Sequence, residues 1–488
     1  MIKMKNILGK IFGGITILLF GSTMLTAQNY NDALKLAEPG IINSASGLGM
    51  GNATMGADIG YANFLKNPAA LGLMNSSEAV LSFNFDSIAS NNAFFNNSLK
   101  VNQNSNGINE LGFVYKVPTS QGSMVFGFGF SQIKDLNNIT NFKGYNPSST
   151  SMIQDLTSVN SQLTYDLRLS HGVFDGDGNY LYDETLINGG LQQSGTIQEK
   201  GEINTWQFSG AVEVAKNLYV GATLNLLGGT YSNDREYSEI DSKNLYGDNL
   251  QIDPDDPLTI DFREFDVHDN ISWDISGLNL KAGFVYDMSE MLRLSGAIQT
   301  PTSYDIKEIY FVEGSSYFKN NYGYDVTPQT SKSEYSILTP FVYSFGINTF
   351  YRFITLSAEA EILDYSQTEF TDGFTEPERI NKNKEISDNL GIAPRLRFGT
   401  VIDIPQANIS LQGGYIYSYS PFINASKENN KQYFTGGIEL FTDNDFVIDF
   451  AGAFGFWKDN IDIYGNDVAR VSRDVTDLKF VASLKYKF

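Results

Sequence analysis

Two alternations, one nested inside the other, constrain what this chain can fold into. Within short segments, apolar and polar residues alternate with a period of two. In "GSMVFGFGFS", Met124, Phe126, Phe128 and Phe130 share one parity, and Val125, Gly127, Gly129 and Ser131 the other. "RFITLSAEAEI" sets Ile354, Leu356, Ala358 and Ala360 against Thr355, Ser357, Glu359 and Glu361. The closing "LKFVASLKYKF" sets Leu478, Phe480, Ala482, Leu484, Tyr486 and Phe488 against Lys479, Val481, Ser483, Lys485 and Lys487. This period describes strands with one apolar face. Fourteen segments carry it, at about 77–86, 108–117, 122–132, 202–216, 217–231, 268–287, 290–312, 334–349, 352–366, 385–402, 406–420, 430–442, 445–458 and 473–488.

Between these segments the connections alternate in length. Short ones are "VPTS", the junction at Asn217, "DMS", the corner near Tyr351, "IPQ" and "TDN". Long ones are 87–107, 133–201, 232–267, 313–333, 367–384, 421–429 and 459–472. A soluble sandwich has no reason to gather its long loops at one end. An outer-membrane barrel does, with tight periplasmic turns and long external loops. The expected fold is therefore all-β, a 14-stranded antiparallel transmembrane β-barrel over residues 76–488. Residues 478–488 close it, apolar parity toward lipid, and a terminal Phe488 suits a last strand engaged by barrel-assembly machinery.

Residues 1–27 read as a secretory signal peptide. Lys3, Lys5 and Lys10 precede the apolar "IFGGITILLF", and "STMLTA" leads to a cut after Ala27. The apolar run is far shorter than the roughly 20 residues a spanning helix needs. The chain is thus expected in the outer membrane of a Gram-negative bacterium, in contact with lipid and lipopolysaccharide. Its 34 Lys and Arg against 56 Asp and Glu give a net charge of −22, which argues against nucleic acid as a partner. There is no cysteine and only two histidines, so disulfides and thiolate metal sites are excluded. His171 and His268 have no evident serine partner, and no enzyme is expected.

Residues 28–75 do not alternate. "NDALKLAE" suits a short helix, and a stretch rich in Gly, Ala and Met follows. A fourteen-stranded barrel is too wide for wall side chains to fill, so it conducts water or carries a plug. The segment is well placed to be that plug, or hatch. "SASGLGMGNATMGADIGYANFLKNPAALG", residues 44–72, resembles the N-terminal hatch of the FadL/TodX family of outer-membrane transporters, including an Asn67-Pro68-Ala69 signature. The resemblance implies passive uptake of long-chain fatty acids or other hydrophobic small molecules by a monomer, without cofactor. It implies a loop groove, a lumenal pocket and a lateral exit, with the Asn67-Pro68-Ala69 turn against an inward kink in the third strand. Gly127 and Gly129 are the candidates for lining that lateral gap. Basic residues hold the carboxylate in such a family, and inward parity nominates Lys281 or Arg395.

Groove candidates are Tyr310, Phe311, Tyr317 and Phe318, with an aromatic girdle as the other reading of the first two. Trp206, Trp273 and Trp457 read as girdle. In "DGDGNYLYDE", Asp175, Asp177, Asn179 and Asp183 are spaced like the start of a calcium loop. Tyr180 and Ile187 stand where an EF-hand needs Gly and Glu, so a solvated acidic turn is the other reading; a bound calcium would be structural, not catalytic. Rival functions are a general porin and a barrel component or shuttle of a surface-protein secretion system.

Overall fold

The computed structural model describes residues 28–41, 44–57, 60–442, 445–465 and 468–488. The signal peptide falls outside the described residues. Eighteen hydrogen-bonded segments make fourteen barrel strands, because four strands are interrupted. They are β1 (Glu78–Phe94), β2 (Asn97–Val117), β3 (Met124–Asp135 with Asn138–Tyr145), β4 (Gln192–Ala215) and β5 (Leu218–Ile240). Next come β6 (Glu264–Ser289), β7 (Leu292–Gln299 with Ser303–Tyr317), β8 (Gly323–Leu338 with Val342–Tyr351) and β9 (Ile354–Asp364 with Glu369–Asp372). The last are β10 (Ile392–Ile404), β11 (Ile409–Ser418), β12 (Lys431–Phe441), β13 (Phe446–Asp462) and β14 (Arg470–Lys487). Each strand pairs antiparallel with its sequence neighbour, and β14 pairs with β1 from Glu78↔Lys487 to Ala93↔Ser472, closing the barrel. Pro301 and Pro340 sit in two of the interruptions, where a missing N–H cannot extend the ladder.

The expected faces hold. On β14, Leu478, Phe480, Leu484, Tyr486 and Phe488 are exposed, while Val481, Ser483 and Lys485 are buried. Ten residues of tilted strand give an apolar belt about 25 Å tall, the height of a bilayer core. No described helix is long and apolar enough to cross a membrane; the crossing is made by strands. Phe488 stacks on Phe113 and Tyr486 on the outer face, and its backbone exchanges two hydrogen bonds with Ser77.

Two of the expected long loops are strand. Residues 87–107 and 313–333 are largely β1–β2 and β7–β8, which turn in a few residues. There the outward positions of β2 become Asn106, Asn104, Asn102 and Lys100, so strands above the belt have no greasy face to betray them. The start of the expected 385–402 strand is instead the end of helix α6 (Glu376–Asn389), whose first turn is capped by the Glu378 carboxylate accepting from the Thr375 N–H at 3.0 Å. Numbered in chain order, the earlier helices are α1 (Tyr30–Ala37), α2 (Ala45–Gly49), α3 (Asn63–Lys66), α4 (Met152–Val159) and α5 (Ser161–Asp166). Helices α4 and α5 bury Met152, Ile153, Leu156 and Leu163 against inward residues of the outer strand ends, such as Phe142, Tyr237 and Val312. The external mouth therefore carries a packed apolar cap.

Candidate functional site

The segment ahead of β1 lies inside the bore. Residues 44–57 and 60–74 are almost entirely buried and rest on inward-facing glycines of eight strands. Gly112 of β2 and Gly129 of β3 receive the Tyr61 ring, and Gly127 receives Phe64. Gly221 of β5 lies against Pro68 and Ala69, and Gly283 of β6 against the Asn67 side chain. Gly346 of β8 meets Met55; Gly399, Gly414 and Gly437 of β10 to β12 meet the backbone of residues 49–51. A Cβ at Gly221 would stand 2.6 Å from the Ala69 nitrogen, well inside van der Waals contact. Wall and plug meet backbone to backbone.

Polar contacts complete the seat. Asn67 donates to the Met55 carbonyl at 2.9 Å and to the Phe284 carbonyl of β6 at 3.0 Å, while its own oxygen accepts from Ala69 N–H. The Asn67-Pro68-Ala69 turn is thus built as its residue types suggest, with Pro68 opening a 3₁₀ turn. Its partners are β5 and β6, not the third strand that the resemblance implied. Tyr61 donates to Gln207 at 3.0 Å. Lys66 of α3 pairs with buried Glu359 at 2.7 Å, and Arg397 joins Glu359 to Glu361 at 2.5 and 3.0 Å. Burial, aided by Arg397, pulls the Lys66 ammonium down to about 8 against the pull of Glu359 and Glu361. Lys485 reaches Ser46 at 2.7 Å and Asp449 at 2.8 Å.

The first part of the plug is held differently. Helix α1 is capped by Asn29 and packs Ala33, Leu34, Leu36 and Ala37 against lumenal residues such as Leu136, Ile203 and Trp273. Its other ties are ionic: Lys35 to Glu199 at 2.6 Å and Glu38 to Lys431 at 2.6 Å. Burial would raise the Glu38 carboxyl, but Lys431 and Lys134 hold it down at about 2.

The inward kink of the third strand exists, higher than Gly127 and Gly129. The register of β3 against β4 shifts between Gln132 and Lys134, and the strand breaks at Leu136–Asn137. There the Ile133 carbonyl presses on Gly40, and the Lys134 ammonium donates to the Lys35 and Glu38 carbonyls. On its other side β3 pairs with β2 only from Glu110↔Ser131 to Val117↔Met124. Above that point the two strands form a seam without ladder bonds. Side chains bridge it instead: Ser105 donates to Asp135, and Asn97 to the Lys143 carbonyl at 2.8 Å. Gly127 and Gly129 are paired on both sides with no interruption, so they seat aromatic rings of the plug and line no gap.

Behind the seam lies a lumenal cavity of about 340 Å³. Gln103, Ser105 and Asp135 to Asn138 line it from the seam; Leu34, Glu38 and Ile41 from the plug. Lys134, Arg395, Lys431, Arg473 and Lys479 face Glu38, Asp86, Asp459 and Asp477 across it, beside Tyr433 and Trp457.

Several sequence candidates are placed elsewhere. Arg395 lines the cavity but donates to the Pro39 carbonyl and Ser418, both at 2.9 Å; Lys281 donates to the Leu65 carbonyl. Both tie down the plug. The groove candidates split, because neighbours on a strand point to opposite faces. Phe318 is buried in the external cap and Tyr310 packs on it, whereas Phe311 lies beside His268 and Tyr317 is exposed. Of the tryptophans, Trp206 is on the outer face between Phe128 and Phe130. Trp273 is lumenal and donates to Glu308 at 2.9 Å, and Trp457 stands over the cavity near Tyr433. Asp175 spends its carboxylate on Asp177 N–H, Asn179 N–H and the Asn179 amide, closing its own turn. Among the described residues no three His, Cys, Asp or Glu side chains gather as a metal site, Asp175, Asp177 and Asp183 included. His171 faces Glu184 across a loop hairpin at 3.4 Å, and His268 lies between Asp234 and Glu313. Sequence reading missed Lys134, Glu38, Glu359 and Arg397. For Glu359 and Arg397 the signal was charge on inward parity, which has no place in a wall unless something inside answers it; Glu38 lies in the plug and Lys134 beyond the register shift of β3, where parity gives no such signal.

No family model matches the sequence, and no curated protein matches it. Solved structures do. The Pseudomonas putida toluene transporter TodX is 14% identical over 91% of this chain and 98% of its own, with a TM-score of 0.57. A Pseudomonas aeruginosa FadL homologue is 11% identical over 92% of this chain and 99% of its own, with a TM-score of 0.59. At such identities the likeness is one of fold, and it spans barrel and plug alike. The chain has the plugged, fourteen-stranded transmembrane barrel of the FadL and TodX outer-membrane channels.

Proposed function

We propose that this protein is an outer-membrane channel for passive uptake of hydrophobic small molecules, long-chain fatty acids being the expected class. The observation that carries the reading is the seam. The straight bore is blocked by a plug seated on backbone, while the cavity above the plug meets the wall where β2 and β3 share no ladder bonds. A solute entering this cavity would have a sideways route through the wall, just above the apolar belt, that costs a few side-chain bonds. An apolar tail gains by leaving water where the path offers apolar surface, as at Leu34 and Ile41. The paired charges of the cavity suit a substrate with a polar head, held by Arg473 or Lys431 while its tail meets Leu34 and Ile41. TodX, of the same fold, is a toluene transporter, which supports a hydrophobic cargo. A general porin would need an open bore.

The chain has no cysteine, which makes the test clean. Ser105→Cys with Asp135→Cys places two thiols where the seam is bridged. Uptake of a labelled fatty acid into cells should stop when the disulfide forms and return with reductant. Undiminished uptake through a fully oxidised seam sinks the lateral route.

A further inference from the structure

High in the lumen, Glu308 of β7 is 2% exposed. Its carboxylate accepts from Gln28 Nε2 at 2.5 Å, Trp273 Nε1 at 2.9 Å, the Tyr335 hydroxyl at 3.0 Å and Ser333 at 3.4 Å. All four donors are neutral. Among the described residues, no Lys, Arg or His lies within ion-pair distance of Glu308. A buried carboxylate without a counter-charge is costly, and Glu359, Glu361 and Asp449 in the plug's ion networks each have a lysine or arginine.

The surroundings do not make good the deficit. The Lys382 ammonium donates to the Gln28 carbonyl rather than to Glu308. Asp32, in the first turn of α1, accepts from Asn29 N–H at 3.0 Å. Burial first, and then the Glu308 and Glu199 carboxylates, outweigh Lys35 and lift the Asp32 carboxyl to about 6. The pocket around Gln28 is short of one positive charge. Gln28 is itself only 4% exposed.

We infer that the missing cation is the α-ammonium of Gln28, created when the leader is removed. Hydrolysis by a signal peptidase adds water across the Ala27–Gln28 peptide bond, leaving a carboxylate on Ala27 and an α-ammonium on Gln28. An α-amino group titrates near ~7.7 and is charged at neutral pH. It belongs to the residue whose side chain already touches Glu308. With it, the two acids Glu308 and Asp32 balance two cations, the α-ammonium and Lys382. Asp32 also offsets the penalty of a positive charge just ahead of the N-terminus of α1. The same contacts make Gln28 a poor candidate for cyclisation. Attack of the α-amine on the side-chain Cδ expels ammonia, and would remove both the charge and the Nε2 donor that Glu308 uses. The first residue of the mature chain is thus an interior ion-pair partner, and α1 cannot complete its seat until the leader is cut.

Two measurements test this. N-terminal sequencing and intact mass of protein from outer membranes should give a free glutamine at position 28. A different start, or a mass lighter by one ammonia, overturns the inference. The second displaces the charge by inserting one alanine between Ala27 and Gln28, in the native background and with Glu308→Gln. The midpoint temperature of gel heat-modifiability should fall by several degrees on insertion into the native background and stay unchanged in Glu308→Gln. An equal fall in both backgrounds means that the α-ammonium and Glu308 are not coupled. Neither readout involves transport, so the inference stands or falls apart from the uptake reading.

Discussion

The two parts of the plug fill one bore by opposite means. Residues 44–57 and 60–74 rest on inward glycines of eight strands, where wall and plug backbones touch. Residues 28–41 carry a helix with one apolar face and are tied by lysines, an arginine and carboxylates, including the kinked stretch of β3. Close backbone packing has one arrangement and no slack. Ion pairs and lysine–carbonyl bonds can be exchanged one at a time against water. On the proposed uptake reading the difference would divide the labour: the later part as the permanent stopper, and the earlier part, lining the cavity and the seam, as the part that moves for a passing solute.

The largest break of that comparison is steric. Gly414→Val puts side-chain carbons into the backbone of Met50 and Gly51 and should cost the seated plug about 4 kcal/mol or more. In planar bilayers the variant should show a steady ion current absent from the native protein. Gly436→Val, close by on β12, faces outward with no atom nearer than 3.7 Å to the new Cβ, and should leave the barrel silent. Next in size is Glu359→Ala. It leaves Lys66 and Arg397 buried together without their shared anion, at roughly 3–5 kcal/mol. The lowered heat-modifiability midpoint should be accompanied by leakage, because the loss falls on the stopper.

Changes in the earlier part should be milder and of another kind. Lys134→Met removes the donor to the Lys35 and Glu38 carbonyls and should cost about 1–3 kcal/mol. Fatty-acid uptake should change while ion current stays at the native level. If Lys134→Met leaks as Gly414→Val does, the division of labour is wrong. Smallest is the effect of acid. Glu38 is held at about 2 in the folded protein against an ordinary 4.5, so its contribution is complete above pH 4.5 and is lost as pH falls toward 2. With 24% of its side chain exposed, the loss is about 1–2 kcal/mol. Tryptophan fluorescence, with Trp457 over the cavity, should report loosening over that interval, and Glu38→Gln should abolish the step.

Much of this molecule was legible in its residues, unevenly. The belt strands could be read because lipid demands apolar residues on every second position and the lumen tolerates the rest, as in residues 478–488. The same strands above the belt could not be read. In water on both faces, residues 97–107 keep the β conformation without any hydrophobic period, and so passed for loop. The plug was visible as a small-residue stretch of the right length, and Asn67-Pro68-Ala69 as a turn. Its seat was not, since nothing local to Gly221 or Gly283 shows that Pro68 and Asn67 lie against them.

The lateral site shows the same boundary. Gly127 and Gly129 marked the correct strand for a disturbance, but glycine signals only that a neighbour comes close. Here the neighbours are Phe64 and Tyr61, while the kink is at Gln132–Asn137 among ordinary polar residues. By itself the sequence determined a fourteen-stranded, lipid-facing cylinder with an internal stopper, because membrane partition and strand pleat act residue by residue. Only the tertiary structure decided which wall residues hold the stopper and where the wall is left unladdered. Those depend on contacts between positions hundreds of residues apart, such as Lys66 with Glu359, whose pairing leaves no local trace.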